Sequence, residues 1–474
     1  MLMTEPTPEL SAPANPANPA NVEQALYEKR QKIYPREVHG TFAALRTAAV
    51  IGLLGVFYGL PWLSWNGRQA VLFDLPARKF YIFGLTFWPQ DFLLLTLLLM
   101  MGALSLFLFT ALAGRLWCGY ACPQTVWTEA FLWMERLVEG TRQQQMKLDQ
   151  APWSPRKLRI KSTKQLMWLS FSAWTGFTFV AFFTPALQLG HELANFSVGP
   201  WEAFWMAFYG FATYGNAGFL REQVCKYMCP YARFQSAMFD KDTLIISYDR
   251  ERGEPRGSRK AGTDYQARGL GSCINCTMCV QVCPTGIDIR NGLQYECIGC
   301  SACIDVCNDV MDKMDYAPNL IRYTTHNAME GKPSRVIRPR VLIYAGLLTA
   351  VGLFFLYLLA SRAPLGLDVI RDRNQLYRER AGLIENVYTL KVLNLADHAR
   401  EFHISANGIE GLELSVASGV ISVPAGAVLD VPAVLRAKEE HLRAVSTSVD
   451  FTLTAADDTA VSFSHHAKFL GPRP

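Results

Sequence analysis

Cys273-Ile-Asn-Cys276-Thr-Met-Cys279-Val-Gln-Val-Cys283-Pro284 and Cys297-Ile-Gly-Cys300-Ser-Ala-Cys303-Ile-Asp-Val-Cys307 are two runs of four cysteines with one and the same spacing. Thiolates separated by two residues on a tight turn reach three corners of one iron–sulfur cubane, and the fourth cysteine of each run ligates the other cluster. The spacing therefore predicts a two-cluster ferredoxin domain of α+β type over residues 272–315. One [4Fe–4S] cluster is expected on Cys273, Cys276, Cys279 and Cys307, and a second on Cys297, Cys300, Cys303 and Cys283. Zinc would call for paired CxxC knuckles, not two runs that each end in a three-residue gap. Pro284 follows the first run as in ferredoxins, whereas Asn308 follows the second. Proline shapes the turn and is no ligand, so the cluster is expected to survive the change.

Working outward, half of the 474 residues are apolar, and they are clustered. Five segments have the length and low charge that a bilayer-spanning helix needs, roughly 20 residues each: 42–63, 91–113, 166–189, 201–219 and 341–360. Val341 to Ala360 carries no charge at all, with Arg338 and Arg340 before it and Arg362 after it, which excludes a buried helix of a soluble protein. Arg46, near the start of the first segment, is expected to snorkel to the headgroups. Basic loops stay on the cytoplasmic side. Region 114–165 carries nine Lys and Arg and region 220–340 carries seventeen, against three in 64–90 and none in 190–200. The expected protein is therefore a multi-pass protein of a bacterial inner membrane, with its amino terminus and ferredoxin in the cytoplasm and residues 361–474 in the periplasm. The net charge of +5 reflects this bias and argues for no nucleic acid. Residues 1–41 begin with a Pro/Ala/Asn tract and read as a disordered cytoplasmic tail, with no signal peptide before the first span.

All twelve cysteines fall on the expected cytoplasmic side, where thiols serve metals or redox work, and a disulfide framework is not expected. The four outside the ferredoxin belong to an internal repeat of the four-span domain 42–239. Cys118-Gly-Tyr-Ala-Cys122-Pro123 follows the second span and Cys225-Lys-Tyr-Met-Cys229-Pro230 follows the fourth, 107 residues later. Copies in one orientation are related by an axis along the membrane normal, which brings both motifs to one depth. A pair four apart on a helix lies on one face, so Cys118 with Cys122, and Cys225 with Cys229, are expected to grip one soft ion each, or to converge as four thiolates. Copper, another iron–sulfur cluster and a redox-active dithiol all suit them; buried thiols packed at helix ends are the bland alternative. Haem would require histidines within the spans, and none lies there. His39 and His191 stand at helix borders, and His326 in the loop after the ferredoxin. His191 beside Glu192 reads as a solvated interfacial pair. His465 and His466 point to opposite faces of a strand. Asp91 and Arg115 read as end-anchors of the second span.

Residues 240–271 and 316–340 read as linkers on either side of the ferredoxin, the stretch 250–271 as a mobile surface loop. From Glu385 the text changes to short alternating runs such as Val387-Tyr-Thr-Leu-Lys-Val-Leu-Asn394, with turn-like stretches between them. Their number and spacing predict an all-β immunoglobulin-like sandwich of seven strands.

Taken with Lys32-Ile-Tyr-Pro35, Gly67-Arg-Gln-Ala-Val-Leu-Phe-Asp-Leu-Pro-Ala-Arg78, Thr86-Phe-Trp-Pro-Gln-Asp91 and Arg115-Leu-Trp-Cys-Gly-Tyr-Ala-Cys-Pro-Gln124, the chain resembles the FixG/CcoG family of cytochrome c oxidase accessory proteins, which are membrane-bound polyferredoxins. Asn308 is usual for that family. The resemblance implies a cupric reductase in the assembly of cbb-type oxidase. Electrons would pass from a cytoplasmic donor protein through two 4Fe-4S clusters to copper, and Cu(I) would be handed to copper chaperones or a copper-exporting ATPase. Copper at the CxxxCP motifs is the matching expectation for Cys118, Cys122, Cys225 and Cys229, and a homodimer is compatible with it. Two rivals follow from the same residues: a quinol-linked ferredoxin-type electron-transfer subunit, and a non-enzymatic copper-binding assembly factor. No dinucleotide-binding glycine motif is legible, so the electron donor is a separate protein.

Overall fold

The computed structural model describes residues 32–472 apart from 237, 363–364, 373–374, 381, 397, 443 and 459–460. Three helices, Thr41–Trp62, Pro89–Ala113 and Pro339–Ala360, are long and apolar enough to cross a membrane. Phe92–Ala113 and Pro339–Ala360 pack against each other, and the start of the first is tied to the end of the second where Arg362 donates to Asp91 Oδ2 at 2.5 Å. Asp91 also accepts from the Trp88 amide, at 2.9 Å. It is an anchor, as expected.

The third and fourth expected spans take a different form. A single helix, Pro155–Val180, begins well before residue 166 and carries Arg156, Lys157, Arg159, Lys161 and Lys164 on its first turns. It stops at Val180, and a second helix, Ala186–Ala194, starts after Pro185. The residue before a proline is disfavoured in helical backbone, so Thr184-Pro185 breaks the apolar run that reads as continuous. The apolar half alone, 166–180, reaches about 22 Å at 1.5 Å per residue. The fourth segment is α-helical over Pro200–Thr213 and then widens into a π-helical turn, Tyr214–Leu220. The two helices cross at glycines: a Cβ on Gly176 would lie 2.2 Å from the Met206 carbonyl oxygen. Absence of a side chain there lets the backbones touch.

Residues 1–31 of the expected tail lie outside the described residues. Residues 32–40 are fastened, not free: the Arg36 amide donates to the Gln281 carbonyl at 2.9 Å, and Tyr34 donates to Asp149 at 2.7 Å. Ferredoxin structure likewise extends past 272–315 into both expected linkers, because strand Ile245–Tyr248 pairs antiparallel with Ile321–Thr324. The loop 250–271 is pinned by Gly257 N to Cys273 O at 3.2 Å and by Arg259 to Gly271 O at 2.7 Å. His326 opens a short helix, His326–Met329.

The carboxy-terminal sandwich has nine strands among the described residues, not seven. One sheet of five centres on Leu383–Asn394, paired with Val428–Lys438 on one side and Leu365–Arg371 on the other. The second sheet, of four, centres on Arg400–Asn407 and Ser446–Ala455. Alternation along these strands buries Leu390, Val392, Phe451 and Leu453 between the sheets. The extra strands Leu365–Arg371, which buries Leu365 and Leu367, and the fully charged Arg378–Arg380 precede Glu385, where the alternating pattern is expected to begin.

Candidate functional site

Each cysteine run wraps a cavity by the same backbone device. Asn275 and Gly299, which precede the second cysteine of their runs, have φ of 56° and 70°; Thr277 and Ser301, which follow it, have φ of 57° and 62°. Left-handed residues flanking a cysteine curl the chain and turn successive amides inward, the geometry that favours a negatively charged centre. Cys273, Cys276, Cys279 and Cys307 line one cavity, with Met311 and Ile321 behind them. Cys283, Cys297, Cys300 and Cys303 line a second, with Ile246 and Ile298. Cys279 borders both, so the two cavities adjoin. Cys276 is exposed and Cys300 is buried, which places the first cavity toward solvent and the second inside.

Among the described residues, no group of three or more His, Cys, Asp or Glu side chains is placed to hold a metal ion. The thiols ring spaces instead of meeting at a point. That arrangement fits a cubane. Burial pushes the Cys297 and Cys307 thiols up to about 12 and Cys279 to about 11. Proton-bearing sulfurs in so dry a setting become thiolates only when positive charge such as iron compensates them.

The CxxxCP motifs stand directly on this domain. Their cysteine pairs do not share one helix, in contrast to the expectation from four-residue spacing. Cys118 lies in helix Leu116–Tyr120, while Cys122 is extended (ψ 128°) and caps the next helix, Pro123–Glu139. Cys225 lies in a π-helical turn, Val224–Met228, and Cys229 is again extended (ψ 109°) before Pro230. Proline after each second cysteine forces both breaks. The repeat is nevertheless real at the level of backbone: Gly114 has φ 54° and ψ −115°, and Arg221, 107 residues on, has φ 43° and ψ −110°. Each repeat also closes the other, since Gln124 donates to Arg221 O at 3.1 Å and Gln235 to Gly114 O at 2.9 Å. The result brings Cys118 within electrostatic reach of Cys122, Cys225 and Cys229, and burial pushes its thiol up to about 12. Gln235 Oε1 accepts from Cys118 Sγ at 3.4 Å.

Cys118 and Cys225 pack against the apolar group formed by Val282, Ile298, Cys300 and Val306. Closeness here is enforced by glycine: a Cβ on Gly119 would stand 2.6 Å from the Gly299 carbonyl oxygen and 3.0 Å from Cys300 Cα. Polar contacts lock the same face. Arg115, buried, donates to the carbonyls of Tyr295 and, at 3.0 Å, Cys297. Arg46 donates to Cys300 O at 3.2 Å. Asp305, on the ferredoxin helix Ala302–Met314, accepts from the Ala43 amide at 2.7 Å and from Phe42 at 3.3 Å, and so caps the first apolar helix. Arg115 and Arg46 thus serve the ferredoxin and not the lipid headgroups. Residue spacing carries no sign of Asp305, and the placing of Gly119 inside a CxxxC is the one available hint of its role.

Of the histidines singled out in the sequence, His39 lines a cavity that also borders Cys225 and Cys300. His466 pairs with Asp450 on the sandwich surface, and His191 lies in helix Ala186–Ala194.

Comparison with known proteins finds matches along most of the chain. Residues 220–326 match the family model of a 4Fe-4S dicluster domain, 94–160 that of a 4Fe-4S binding domain, and 355–472 that of the immunoglobulin-like fold at the C-terminus of FixG, an oxidoreductase family by its description. The chain is 38% identical over 436 residues to the nitrogen fixation protein FixG of Rhizobium meliloti, covering 84% of this chain and 83% of that one. It is 39% identical over 467 residues to protein RdxB of Cereibacter sphaeroides, covering 95% and 98%. A crystal structure of a FixG-related protein from Vibrio parahaemolyticus is 34% identical, covers 23% of this chain and 95% of its own, and has a TM-score of 0.21.

Proposed function

Because the chain belongs to the FixG/RdxB family of iron–sulfur proteins, we propose that it is a membrane-bound cupric reductase, carrying one electron at a time from a cytoplasmic donor protein to Cu(II) for the assembly of cbb-type oxidase. Two [4Fe–4S] clusters, when bound, supply one-electron carriers of low potential. Cys273, Cys276, Cys279 and Cys307 would hold the outer one, and Cys283, Cys297, Cys300 and Cys303 the inner one. Exposed Cys276 marks the side a soluble donor reaches. Cys118, Cys122, Cys225 and Cys229 would receive copper, since thiolates favour Cu(I) over the harder divalent ion and so favour the product. The observation that carries this reading is the contact of Gly119 with the Gly299–Cys300 backbone, which sets the thiol quartet against the inner cavity. Cu(I) would leave to copper chaperones or an exporting ATPase, and a homodimer is compatible with the scheme. The basic bias of 114–165 and 220–340 supports an inner-membrane protein of five crossings with the sandwich in the periplasm.

A second reading is favoured by one finding. The matched 4Fe-4S binding domain, 94–160, contains Cys118 and Cys122, and the dicluster domain, 220–326, contains Cys225 and Cys229. The quartet would then hold a third iron–sulfur cluster. Stopped-flow mixing of reduced, cluster-loaded protein with Cu(II) tests both. Under the copper reading, iron content is about eight atoms per chain, the clusters reoxidise as Cu(I) forms, and serine at Cys118, Cys122, Cys225 and Cys229 abolishes the rate while iron is kept. Iron near twelve atoms, falling to about eight in the serine variant, replaces copper by a cluster at that site. Clusters that stay reduced in Cu(II) overturn the cupric-reductase reading.

A further inference from the structure

A cavity of about 520 Å³ lies between the helices Thr41–Gly59 and Pro123–Glu139. Its inner wall includes Cys300 and Cys225, so it touches both the inner cysteine loop and the thiol quartet. One side of its lining is Ala44, Thr47, Ala48 and Ile51, all exposed on the first apolar helix, where hydrocarbon would lie; another is exposed Arg36, Glu37 and His39. A ligand that enters past the helix is lipid-soluble, and it arrives beside redox groups.

The wall also specifies the headgroup. Arg46 donates through one nitrogen to Cys300 O at 3.2 Å, but its Nε is buried and has no hydrogen-bond partner. Glu129 lies 3.9 Å from that nitrogen, too far to accept. A buried donor left without an acceptor is costly, so the site calls for one. An anion is a poor candidate. Glu129, 3.9 Å from Arg46 Nε, would repel an anion placed there. Arg136 faces Glu129 at 3.1 Å and Arg221 faces Glu135 at 2.7 Å. Arg36 on the far wall donates to Met278 Sδ, with Glu37 and Glu222 also on the wall. A neutral carbonyl meets the requirement.

We propose that this cavity binds the headgroup of a membrane quinone, one carbonyl oxygen on Arg46 Nε and the isoprenoid tail leaving past Ala44, Ala48 and Ile51. The site gives the chain a second outlet for electrons. Reduction of one quinone to quinol takes two electrons and two protons. Two [4Fe–4S] clusters, when bound by the eight ferredoxin cysteines, would supply the electrons one each, and the protons would come from water through the Glu129 carboxylate. The proposal rests on the electron-transfer half of the reading above and not on copper.

The test uses the full chain, cluster-loaded, in phospholipid nanodiscs with a photoreactive azidoquinone. Label should concentrate on peptides containing 43–51 and 128–136, be displaced by decylubiquinone, and fall about tenfold in Ala48→Phe, which fills the entrance past the helix. Thr47→Trp serves as a second plug should Ala48→Phe lose its cluster absorbance. Label that is indifferent to both plugs, or is displaced by added phospholipid and not by quinone, overturns the proposal. Reoxidation of the reduced protein separates the two readings. A plug that slows decylubiquinone and leaves Cu(II) unchanged supports the cavity, whatever copper does. Failure of Cu(II) to oxidise either protein removes the copper reading and leaves the cavity standing.

Discussion

Gly119 has a role that its neighbours in the motif cannot share. The two backbones it joins approach within van der Waals distance, and the atoms a methyl group would meet, Gly299 O and Cys300 Cα, belong to the main chain and cannot rotate away. Gly119→Ala must therefore move the inner cysteine loop off the CxxxCP motif. We expect the variant to retain the outer cluster and to lose most of the inner one, so that iron falls toward half of the wild-type value, as read by iron analysis and low-temperature EPR. Gly102→Ala is the control, because a methyl group added there, on helix Phe92–Ala113, would have nothing within 4 Å, and it should leave iron unchanged. Asp305 acts at the same scale by a different route. Its carboxylate caps amides at the start of the first apolar helix, an arrangement worth about 0.5–2 kcal/mol in other helices.

At the scale of elements, the two repeats break their helices by different means. In the first repeat the break falls at Gly114, which accepts a positive φ without cost; in the second it falls at Arg221, which does not. Arg221 is held there by its own guanidinium, which donates to Gly218 O at 3.0 Å and to Glu135 Oε2 at 2.7 Å. Glu135 is nearly inaccessible and also faces Lys164 at 3.4 Å. Its carboxyl is held below the usual range: burial opposes this, and Arg221, Lys164 and Lys32 overcome it. Glu135→Gln leaves the buried Arg221 without its carboxylate partner, while Lys164 keeps Glu139 at 2.8 Å, and loss of such a buried partner costs about 3–5 kcal/mol. The expected outcome is a lower unfolding temperature and faster alkylation of metal-free Cys225 than in wild type, with Cys118 less affected. The sequence made these elements only partly legible. Cysteine spacing revealed the ferredoxin because metal ligation fixes spacing locally, and alternation revealed the sandwich because half-buried strands have period two. The π turns, the early start of Pro155–Val180 and the strand pair Ile245–Tyr248 with Ile321–Thr324 are settled by partners distant in sequence, and local periodicity carries no record of those. Thr184-Pro185 and the two Cys-Pro steps were readable as breaks by the proline rule, and hydropathy alone passes over them.

Over the whole molecule, the joints differ in kind. The ferredoxin is fixed to the helices through Arg115, Arg46, Asp305, Gly119 and the segment 32–40, so cofactor loops and thiol quartet form one body. The sandwich keeps its apolar core to itself. Across the other junction run polar contacts such as Lys79 to Gly426 O at 2.7 Å, while Arg362, just before the sandwich, holds Thr86 O at 2.8 Å and Asp91. Lys79 to Gly426 O is a part-buried hydrogen bond from a charged donor, worth about 1.5–3 kcal/mol. Arg362 holds residues of the helical part, so such contacts are too few to make the two parts unfold together. A chain ending after Arg362 should therefore keep Arg362 on Asp91, insert in membranes and bind the same iron per chain as the full protein, with an unchanged EPR spectrum. Residues 361–474 expressed alone should fold, giving a cooperative thermal transition by circular dichroism. Loss of iron on truncation, or a sandwich that stays unfolded by itself, would show that the carboxy-terminal domain supports the redox body instead of being carried by it.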